Sequence, residues 1–411
     1  MVGQARGVSR LPFVLAPFRG LRFNAAQVGD LGTVISPPYD VLDAETVRDL
    51  EAANRRNIVR LILSRRFEQP YLAVRKRLQH WRDRQYLQPD DAAGLYLYQY
   101  AADGVTVRGL IGVVALREES ERVILPHEGV MSGPVEDRTM LMRSTETNLE
   151  PILLVHEGTD RLRRLLADTT ENEPLVSFTA LDHSSHMLWS ITDADCLELV
   201  ATELEPTQAL IADGHHRYAA YLALQKQMRH PATTSGGSPW DYGLALLVDQ
   251  HDYPLQVGPI HRSVSALTMS DAAELAAERG DHLVTFPDRE AAFASLADRA
   301  DDPGQASFVV SDGRLWAVLS APRTQDVDAA VLHEDIFEAW QVADEQVGYH
   351  HSLDQALNTT IRSPGIVVAV HPPTLRQVMD TAARGIRMPR KSTSFSPKPR
   401  MGVVMRDLRD S

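Results

Sequence analysis

The most informative stretch of this sequence is Leu210-Ile211-Ala212-Asp213-Gly214-His215-His216-Arg217-Tyr218-Ala219-Ala220-Tyr221. Its apolar start predicts the end of a buried strand, and Asp213-Gly214 breaks that strand. From Arg217 the pattern becomes helical, and Pro231 is expected to stop the helix. The sequence therefore predicts a strand, a tight turn that carries two histidines and an arginine, and then a helix.

This turn suits a phosphate group. The start of a helix has unpaired backbone N–H groups and the positive end of the helix dipole, and both favour anions. Gly214 allows a ligand to approach closely, and Arg217 offers a bidentate grip. His215 and His216, which lie between Gly214 and Arg217, add two more polar side chains. Because open α/β sheets bind ligands at loops beyond strand ends, we interpret the turn as a nucleotide or phosphate site.

A purely structural interpretation of the same turn stays open. Asp213 is also a good helix cap, and Gly214 is an ordinary turn residue. In that case the histidines are side chains of the surface or the core without a role in binding.

Composition narrows the class of protein. The 411 residues contain 42 Lys plus Arg against 55 Asp plus Glu, a net charge of -13, which argues against a broad nucleic-acid surface. The single cysteine, Cys196, permits no internal disulfide and fits a reducing compartment. No apolar run is long enough for a membrane helix, and no signal peptide is evident. We therefore expect a cytoplasmic protein without a nucleic-acid or membrane partner.

Two further segments carry polar groups beyond predicted strands. Tyr39 and Asp40 follow the rigid Pro37-Pro38 pair, which suits either a substrate-binding wall or a structural turn. His127 and Glu128 form a candidate acid/base or metal pair, with a solvated loop as the alternative.

Basic residues mark three more candidates. Arg143, on a helix predicted from Ser132 to about Thr147, is a possible phosphate clamp beside Arg138, which points elsewhere. His261 and Arg262 end another strand and are assigned to the substrate wall. The turn that ends in Lys391, Ser392 and Thr393 places an amine beside hydroxyls, which suits phosphate oxygens. By contrast, His183 and His186 lack a third ligand at zinc spacing and are expected at the surface.

Strands and helices alternate irregularly along the chain. Residues 57–63 are predicted as a strand, and 94–101 with 105–116 as a hairpin through Asp103-Gly104. The mixture predicts an α/β or α+β fold with mixed sheets. We expect an N-terminal segment over 1–150, a middle segment over 151–239 and a C-terminal segment over 240–411.

Several motifs together resemble the domain of unknown function 1015 family over nearly the whole chain, in the same order. That family has no established activity that the resemblance could transfer. The motifs are Pro17-Phe18-Arg19-Gly20-Leu21-Arg22, Ser36-Pro37-Pro38-Tyr39-Asp40-Val41, Leu125-Pro126-His127-Glu128, Ala212-Asp213-Gly214-His215-His216-Arg217-Tyr218 and Met388-Pro389-Arg390-Lys391-Ser392-Thr393.

The Asp213–Arg217 turn is also similar to the corresponding turn of the ParB/sulfiredoxin superfamily. That superfamily includes CTP-binding partition proteins, ATP-using sulfiredoxins and free-serine kinases. The resemblance implies a ParB/sulfiredoxin-like core around the strand-turn-helix and a nucleotide cofactor, namely ATP, ADP or CTP. It does not imply sulfiredoxin chemistry, because this turn has His215 and His216 where that chemistry needs a cysteine.

The leading hypothesis is phosphoryl transfer from a nucleotide to a small hydroxylated metabolite, as in a free-serine kinase. Asp213 beside phosphates would be repulsive without a cation, which favours Mg²⁺ with Asp213 as a near or water-mediated ligand. Glu128, or else Asp40, would take the substrate proton, and Lys391 would offset developing charge. His127 and His216 are the further catalytic candidates.

Two other functions remain open. A nucleotide-binding switch of ParB type would use the Gly214–Arg217 turn without turnover, and Glu128 would then be dispensable. A phosphate-ester hydrolase would use His215 or His216 for proton transfer.

Overall fold

The computed structural model describes residues 11–63, 68–228, 237–299 and 302–410. Two compact units make up the chain. The first comprises residues 1–126, 130–255 and 397–411, and the second comprises 127–129 and 256–396. The segment boundaries that we expected at residues 150 and 240 stay predictions.

Helices occur along the whole chain, and α11 continues directly into a π-helix over Val331–Phe337. None of the helices within the described ranges is long and apolar enough to cross a membrane. The helices are α1 Ala25–Val28, α2 Ala44–Ala53, α3 Val59–Ile62, α4 Pro70–Asp83, α5 Ser132–Thr145, α6 Asp160–Thr169, α7 Ala194–Leu204, α8 His215–Met228, α9 Met269–Arg279, α10 Arg289–Ala297, α11 Asp328–Ala330, α12 Leu353–Arg362 and α13 Leu375–Ala383.

The strands alternate with these helices irregularly, as predicted. They are β1 Leu15–Ala16, β2 Gly20–Phe23, β3 Leu87–Pro89, β4 Leu95–Ala102, β5 Val105–Ala115, β6 Ile124–Leu125, β7 Thr147–Asn148, β8 Ile152–His156, β9 Val176–Thr179, β10 Ser185–Ile191, β11 Ala209–Asp213, β12 Tyr242–Asp249, β13 Gln256–Gly258, β14 His261–Ser265, β15 His282–Phe286, β16 Gln305–Ser311, β17 Trp316–Pro322, β18 Val347–His350, β19 Gly365–Ala369, β20 Ser394–Ser396 and β21 Met405–Asp407.

The first unit is organised around a large mixed sheet. Among the described residues its strand order is β6-β11-β8-β12-β5-β4-β10-β9, with β1 also paired to β5. β11 runs parallel to β6 and β12 runs parallel to β8, while the other pairs are antiparallel. β8, β11 and β12 are apolar and buried, which explains their continuous hydrophobic runs. The mixed α/β fold class is therefore confirmed.

The second unit has its own antiparallel sheet. The order is β15-β17-β16-β19-β14-β18, and β13 pairs separately with β20. Phe308 and Val310 of β16 pack with Ile366 and Val368 of β19 in one core cluster, whereas Val309 and Val367 belong to another. Because side chains alternate along a strand, both faces of this sheet are covered by apolar groups.

The hairpin of β4 and β5 is confirmed, but the strand predicted over 57–63 is wrong. The structure has α3 there, and Ile58, Val59, Leu61 and Ile62 are fully buried. The Asn57 side chain accepts from the Val59 N–H at 2.9 Å and donates to the Ile35 carbonyl at 2.8 Å, so it starts the helical turn. A short run that is apolar on every face does not distinguish a strand from a buried helix.

The surface position expected for His186 is also wrong. His183 is exposed, but His186 is buried in β10. Its Nδ1 lies 2.9 Å from the Tyr98 hydroxyl and its Nε2 lies 2.8 Å from Ser184 Oγ. Burial lowers the pKa of His186 to about 4, so it is a neutral core residue.

Candidate functional site

The predicted strand-turn-helix is present in the first unit. β11 shifts register between Ile211 and Asp213, and this irregularity carries Asp213 to the end of the strand. Gly214 has a φ of +98°, and a Cβ there would lie 3.0 Å from Ile152 Cγ2, so the turn needs glycine. α8 begins at His215, two residues earlier than expected, and is described to Met228. Pro231 lies outside the described residues.

Arg217 points into the protein. Its residue exposure is 2%, and its guanidinium donates to Asp213 Oδ2 and to the Pro151 carbonyl. Its Nε has no hydrogen-bond partner in the described part of the chain. A grip of Arg217 on a phosphate therefore stays a prediction, and it would have to compete with a buried ion pair.

Lys398 is the cation that sequence reasoning missed. Its Nζ lies 2.5 Å from Asp213 Oδ1 and 2.8 Å from Asp40 Oδ2. The ammonium thus joins two candidates of the sequence analysis, Asp40 and Asp213, which are 173 residues apart along the chain. The sequence signals a basic tail between prolines, but nothing in it indicates which of the basic residues pairs with these carboxylates.

The charges around Asp213 decide its ionisation. Burial alone would raise the pKa of Asp213, but the Lys398 ammonium and the Arg217 guanidinium outweigh burial and lower it to about 2. Burial likewise opposes the charge of Lys398, and the two carboxylates reverse that effect and raise its pKa. Asp213, Lys398 and Arg217 are therefore all charged at neutral pH.

The lowered pKa predicts a specific acid sensitivity. The folded-state pKa of Asp213 is about 2 and its ordinary value is 3.8, so its ionised form stabilises the fold above pH 4. This stabilisation is lost as the pH falls from about 4 towards 2. We expect the melting temperature of Asp213→Asn to fall less steeply over this range than that of the wild type. The exposed variant Asp91→Asn should keep the wild-type slope, and equal slopes for all three proteins would contradict the assignment.

Asp213 is not placed as a direct magnesium ligand, and its role as a near or water-mediated ligand stays a prediction. Both of its oxygens already face a cation, Oδ1 towards Lys398 and Oδ2 towards Arg217. No group of three or more His, Cys, Asp or Glu side chains in the described ranges is placed to hold a metal ion. The repulsion between Asp213 and phosphates, which led us to expect Mg²⁺ there, is offset instead by these two side chains.

Arg138 joins the same region, whereas Arg143 does not. Arg138 is buried, its Nη1 lies 3.0 Å from Glu150 Oε2, and its guanidinium lies 4.3 Å from the centre of the Tyr39 ring. Burial raises the pKa of Tyr39 to about 12, although Arg217 opposes it, so its hydroxyl stays protonated. Arg143 is exposed on α5. We call Asp40, Asp213, Arg217 and Lys398 the charged cluster of the first unit.

His215 and His216 lie in the first helical turn of α8 and are half-buried. His216 Nε2 accepts a hydrogen bond from the Met131 N–H at 3.1 Å. A neutral His216 therefore carries its proton on Nδ1. This contact ties the start of α8 to the residue before α5.

In the second unit, Glu128 is held by the turn that we had assigned to phosphate binding. Glu128 Oε2 accepts from the Lys391 N–H at 3.1 Å, and Oε1 accepts from the N–H groups of Ser392 at 3.0 Å and Thr393 at 2.9 Å. The Thr393 hydroxyl donates a fourth hydrogen bond to the carboxylate, the third at Oε1, at 2.9 Å. Consecutive N–H groups that converge in this way form an anion-binding nest, and here they hold a carboxylate.

His127 contacts the Thr393 hydroxyl that binds Glu128. Its Nε2 lies 2.8 Å from Thr393 Oγ1, and its side chain is fully buried. The carboxylate of Glu128 can only accept, so the Thr393 hydroxyl donates to it and accepts from the Nε2–H of His127. The order of donation is therefore His127 to Thr393 to Glu128.

The remaining side chains of this turn have different surroundings. The Ser392 hydroxyl donates to the Pro389 carbonyl at 2.6 Å and is buried. Lys391 has a φ of +60°, and its ammonium makes no hydrogen bond or ion pair with the described residues. Of the three predicted phosphate ligands in this turn, Ser392 and Thr393 have engaged hydroxyls, whereas the Lys391 ammonium is not engaged within the described structure.

His261 and Arg262, predicted to form a substrate wall, are both buried in β14. Arg262 donates from Nε to His333 at 3.0 Å and from Nη1 to the Ile260 carbonyl, and it lies 5.1 Å from the Tyr349 ring centre. Burial, together with the charge of Arg262, lowers the pKa of His261 to about 4. Both side chains therefore pack inside the second unit, and their role as a wall stays a prediction.

Several solved structures are similar to this chain. A mutant free serine kinase in complex with ADP is 15% identical, with a TM-score of 0.37 over 67% of this chain and 84% of its own. A conserved hypothetical protein from Pyrococcus furiosus is 15% identical, with a TM-score of 0.38 over 70% and 93%. C-terminally truncated SbnI from Staphylococcus aureus is 11% identical, with a TM-score of 0.38 over 72% and 87%.

Comparison with known protein sequences shows the family of this chain. No curated protein sequence matches this chain. Residues 15–345, however, match a family described as "Protein of unknown function (DUF1015)", and this range contains more than half of the chain. The chain therefore belongs to that family, as its motifs indicated.

Proposed function

We propose that this protein is a nucleotide-dependent phosphotransferase that acts on a hydroxyl group of a small metabolite. The observation that carries the proposal is the fixed carboxylate of Glu128. Four hydrogen bonds from Lys391, Ser392 and Thr393 set its orientation, and its side chain keeps 13% of its surface exposed. A general base has to be oriented and reachable, and Glu128 meets both conditions.

The chemical step assigned to Glu128 is the removal of one proton. The substrate hydroxyl gives its proton to the carboxylate while its oxygen forms a bond to the terminal phosphorus of the nucleotide. The bond between that phosphorus and the bridging oxygen breaks, and the shortened nucleotide leaves with the electron pair. The Thr393 hydroxyl, itself held by His127, keeps the carboxylate in place.

Lys391 has the electrostatic role in this proposal. Phosphoryl transfer develops charge on the oxygens of the moving group, and a positioned cation stabilises that charge. The ammonium of Lys391 is not engaged by the described residues, and its backbone N–H holds Glu128. One residue thus supports both the base and the transferred group.

Within the first unit, the start of α8 is proposed to bind nucleotide phosphates, and this assignment rests on that unit alone. The helix N-terminus favours an anion, and Gly214, with a φ of +98°, makes the tight turn that leads into it. Lys398 and Arg217 offset the charge of Asp213, so the carboxylate before the turn does not repel the phosphates. Mg²⁺ that accompanies a nucleotide is commonly held by the phosphates themselves, with few protein ligands.

The proposal is tested on the wild-type protein by calorimetry and ³¹P NMR. ATP, ADP and CTP are titrated with Mg²⁺, and the nucleotide that binds is then incubated with hydroxylated metabolites, beginning with serine. We expect one nucleotide to bind and a phosphate-ester signal to appear with an acceptor. Binding without transfer to any acceptor would indicate a nucleotide-binding switch, and release of inorganic phosphate alone would indicate a hydrolase. Absence of nucleotide binding would contradict the proposal.

A further inference from the structure

The first unit contains an apolar pocket beside the charged cluster, with a volume of about 200 Å³. We propose that this pocket binds the base of the nucleotide, an inference that rests on the proposed function. Its walls come from Ile35 and Pro37, from Leu50 on α2, and from Ala180 and Leu181 after β9. Leu181 is half-exposed at the rim, which leaves a large apolar side chain in contact with solvent.

The covalent chain places this pocket next to the charged cluster. Pro37 lines the pocket, and Asp40, three residues later, binds Lys398. Arg400 also lines the pocket, two residues after Lys398. Three residues of chain span at most about 10 Å, so the Cα atoms of Pro37 and Asp40 lie within that distance of each other. A ligand with an apolar ring at one end and phosphates at the other fits an apolar pocket that is joined by a short stretch of chain to a charged cluster.

The size of the pocket indicates a ring rather than a whole ligand. Sites that enclose complete drug-sized ligands have volumes of roughly 300–1,000 Å³. The smaller volume here, with mainly apolar walls, suits one planar aromatic group whose polar remainder lies outside. A nucleobase attached to ribose and phosphates has this division of polar and apolar parts.

Two carboxylates line the pocket: Asp182 is paired with Arg400, and we assign selectivity among bases to the other, Asp49. Thr46, Asp49 and Leu50 share one face of α2, at the spacing i, i+3 and i+4, and all three line the pocket. The carboxylate of Asp49 makes no hydrogen bond or ion pair with the described residues. Because an ionised carboxylate only accepts hydrogen bonds, it favours a base that bears an exocyclic amino group. We therefore expect adenine to bind better than hypoxanthine, in which a carbonyl replaces the amino group.

A variant that fills the pocket tests the binding of the base separately from the binding of the phosphates. In Thr46→Trp the indole occupies the pocket, while Arg48→Trp adds the same group at an exposed position of α2 and serves as the control. Calorimetry with ATP, adenosine and inorganic tripolyphosphate then distinguishes the two ends of the ligand. We expect Thr46→Trp to lower the binding affinity for ATP and adenosine at least about tenfold. The affinity for tripolyphosphate should stay unchanged. Arg48→Trp should bind all three probes like the wild type.

The outcomes separate this inference from the proposed function. The base-pocket inference would be overturned if both tryptophan variants lowered the affinity for ATP equally, or if Thr46→Trp did not lower it. The phosphate assignment would be unaffected by either result. If tripolyphosphate fails to bind but adenosine binds and is lost in Thr46→Trp, the pocket stands and the phosphate assignment fails. If adenosine does not bind the wild type and ATP binds no tighter than tripolyphosphate, the pocket inference is overturned.

A second variant tests the selectivity. Asp49→Asn keeps the size of the side chain but gives it a donor as well as an acceptor. We expect the wild type to prefer ATP over ITP by about tenfold and Asp49→Asn to lose most of that preference. An unchanged ratio would remove Asp49 from the assignment.

Discussion

Replacing Glu128 with glutamine is expected to slow phosphoryl transfer by about 10²–10⁴-fold, the range that a positioned general base contributes. Glutamine has nearly the same shape and can still accept from Ser392 and Thr393 at its oxygen. Its amide nitrogen, however, cannot take the substrate proton. Nucleotide affinity should change by no more than about twofold, because glutamine keeps the size of the side chain and its contacts with Ser392 and Thr393.

The control for this substitution is Glu136→Gln on α5, where the glutamate is exposed. Single-turnover transfer and nucleotide binding are measured for both variants, together with their melting temperatures. Loss of transfer in Glu128→Gln with a melting temperature near the wild-type value would assign the effect to chemistry rather than folding. Full transfer activity in Glu128→Gln would remove the residue as the base.

Replacing Arg217 with methionine is expected to lower the free energy of unfolding by about 3–5 kcal/mol, the cost of removing one partner of a buried ion pair. Asp213 would keep Lys398, but that ammonium is already shared with Asp40. The carbonyl of Pro151 would also lose its donor. A weaker nucleotide signal in this variant would therefore have to be corrected for the unfolded fraction.

Urea denaturation with two further variants tests this interpretation. Arg143→Met removes an exposed arginine from α5 and should change the unfolding free energy by less than about 0.5 kcal/mol. The double variant Asp213→Asn with Arg217→Met removes both charges, and we expect it to lose less than the sum of the single losses. Additive losses would show that the two side chains do not stabilise each other.

The local order of elements was largely predictable because it depends on residues close in sequence. β11, the glycine turn and α8 follow from the apolar run, from Asp213-Gly214 and from the helical pattern after it. The β4–β5 hairpin follows in the same way from Asp103-Gly104. The error at α3 arose where a short run was apolar on all faces, because its partners rather than its periodicity determine its conformation.

The family, the mixed α/β fold and the segments that carry polar groups could be inferred from sequence, since they depend on local patterns and motifs. Which of those polar groups contact one another is visible only in the tertiary structure. It joined Asp40 and Asp213 through Lys398, turned Arg217 inward and directed the Lys391–Thr393 turn to Glu128. Each of these partners, except the Asp213–Arg217 pair, is more than 180 residues away along the chain. Pairing between distant charges depends on the packing that brings them together and leaves no periodic signal in either segment.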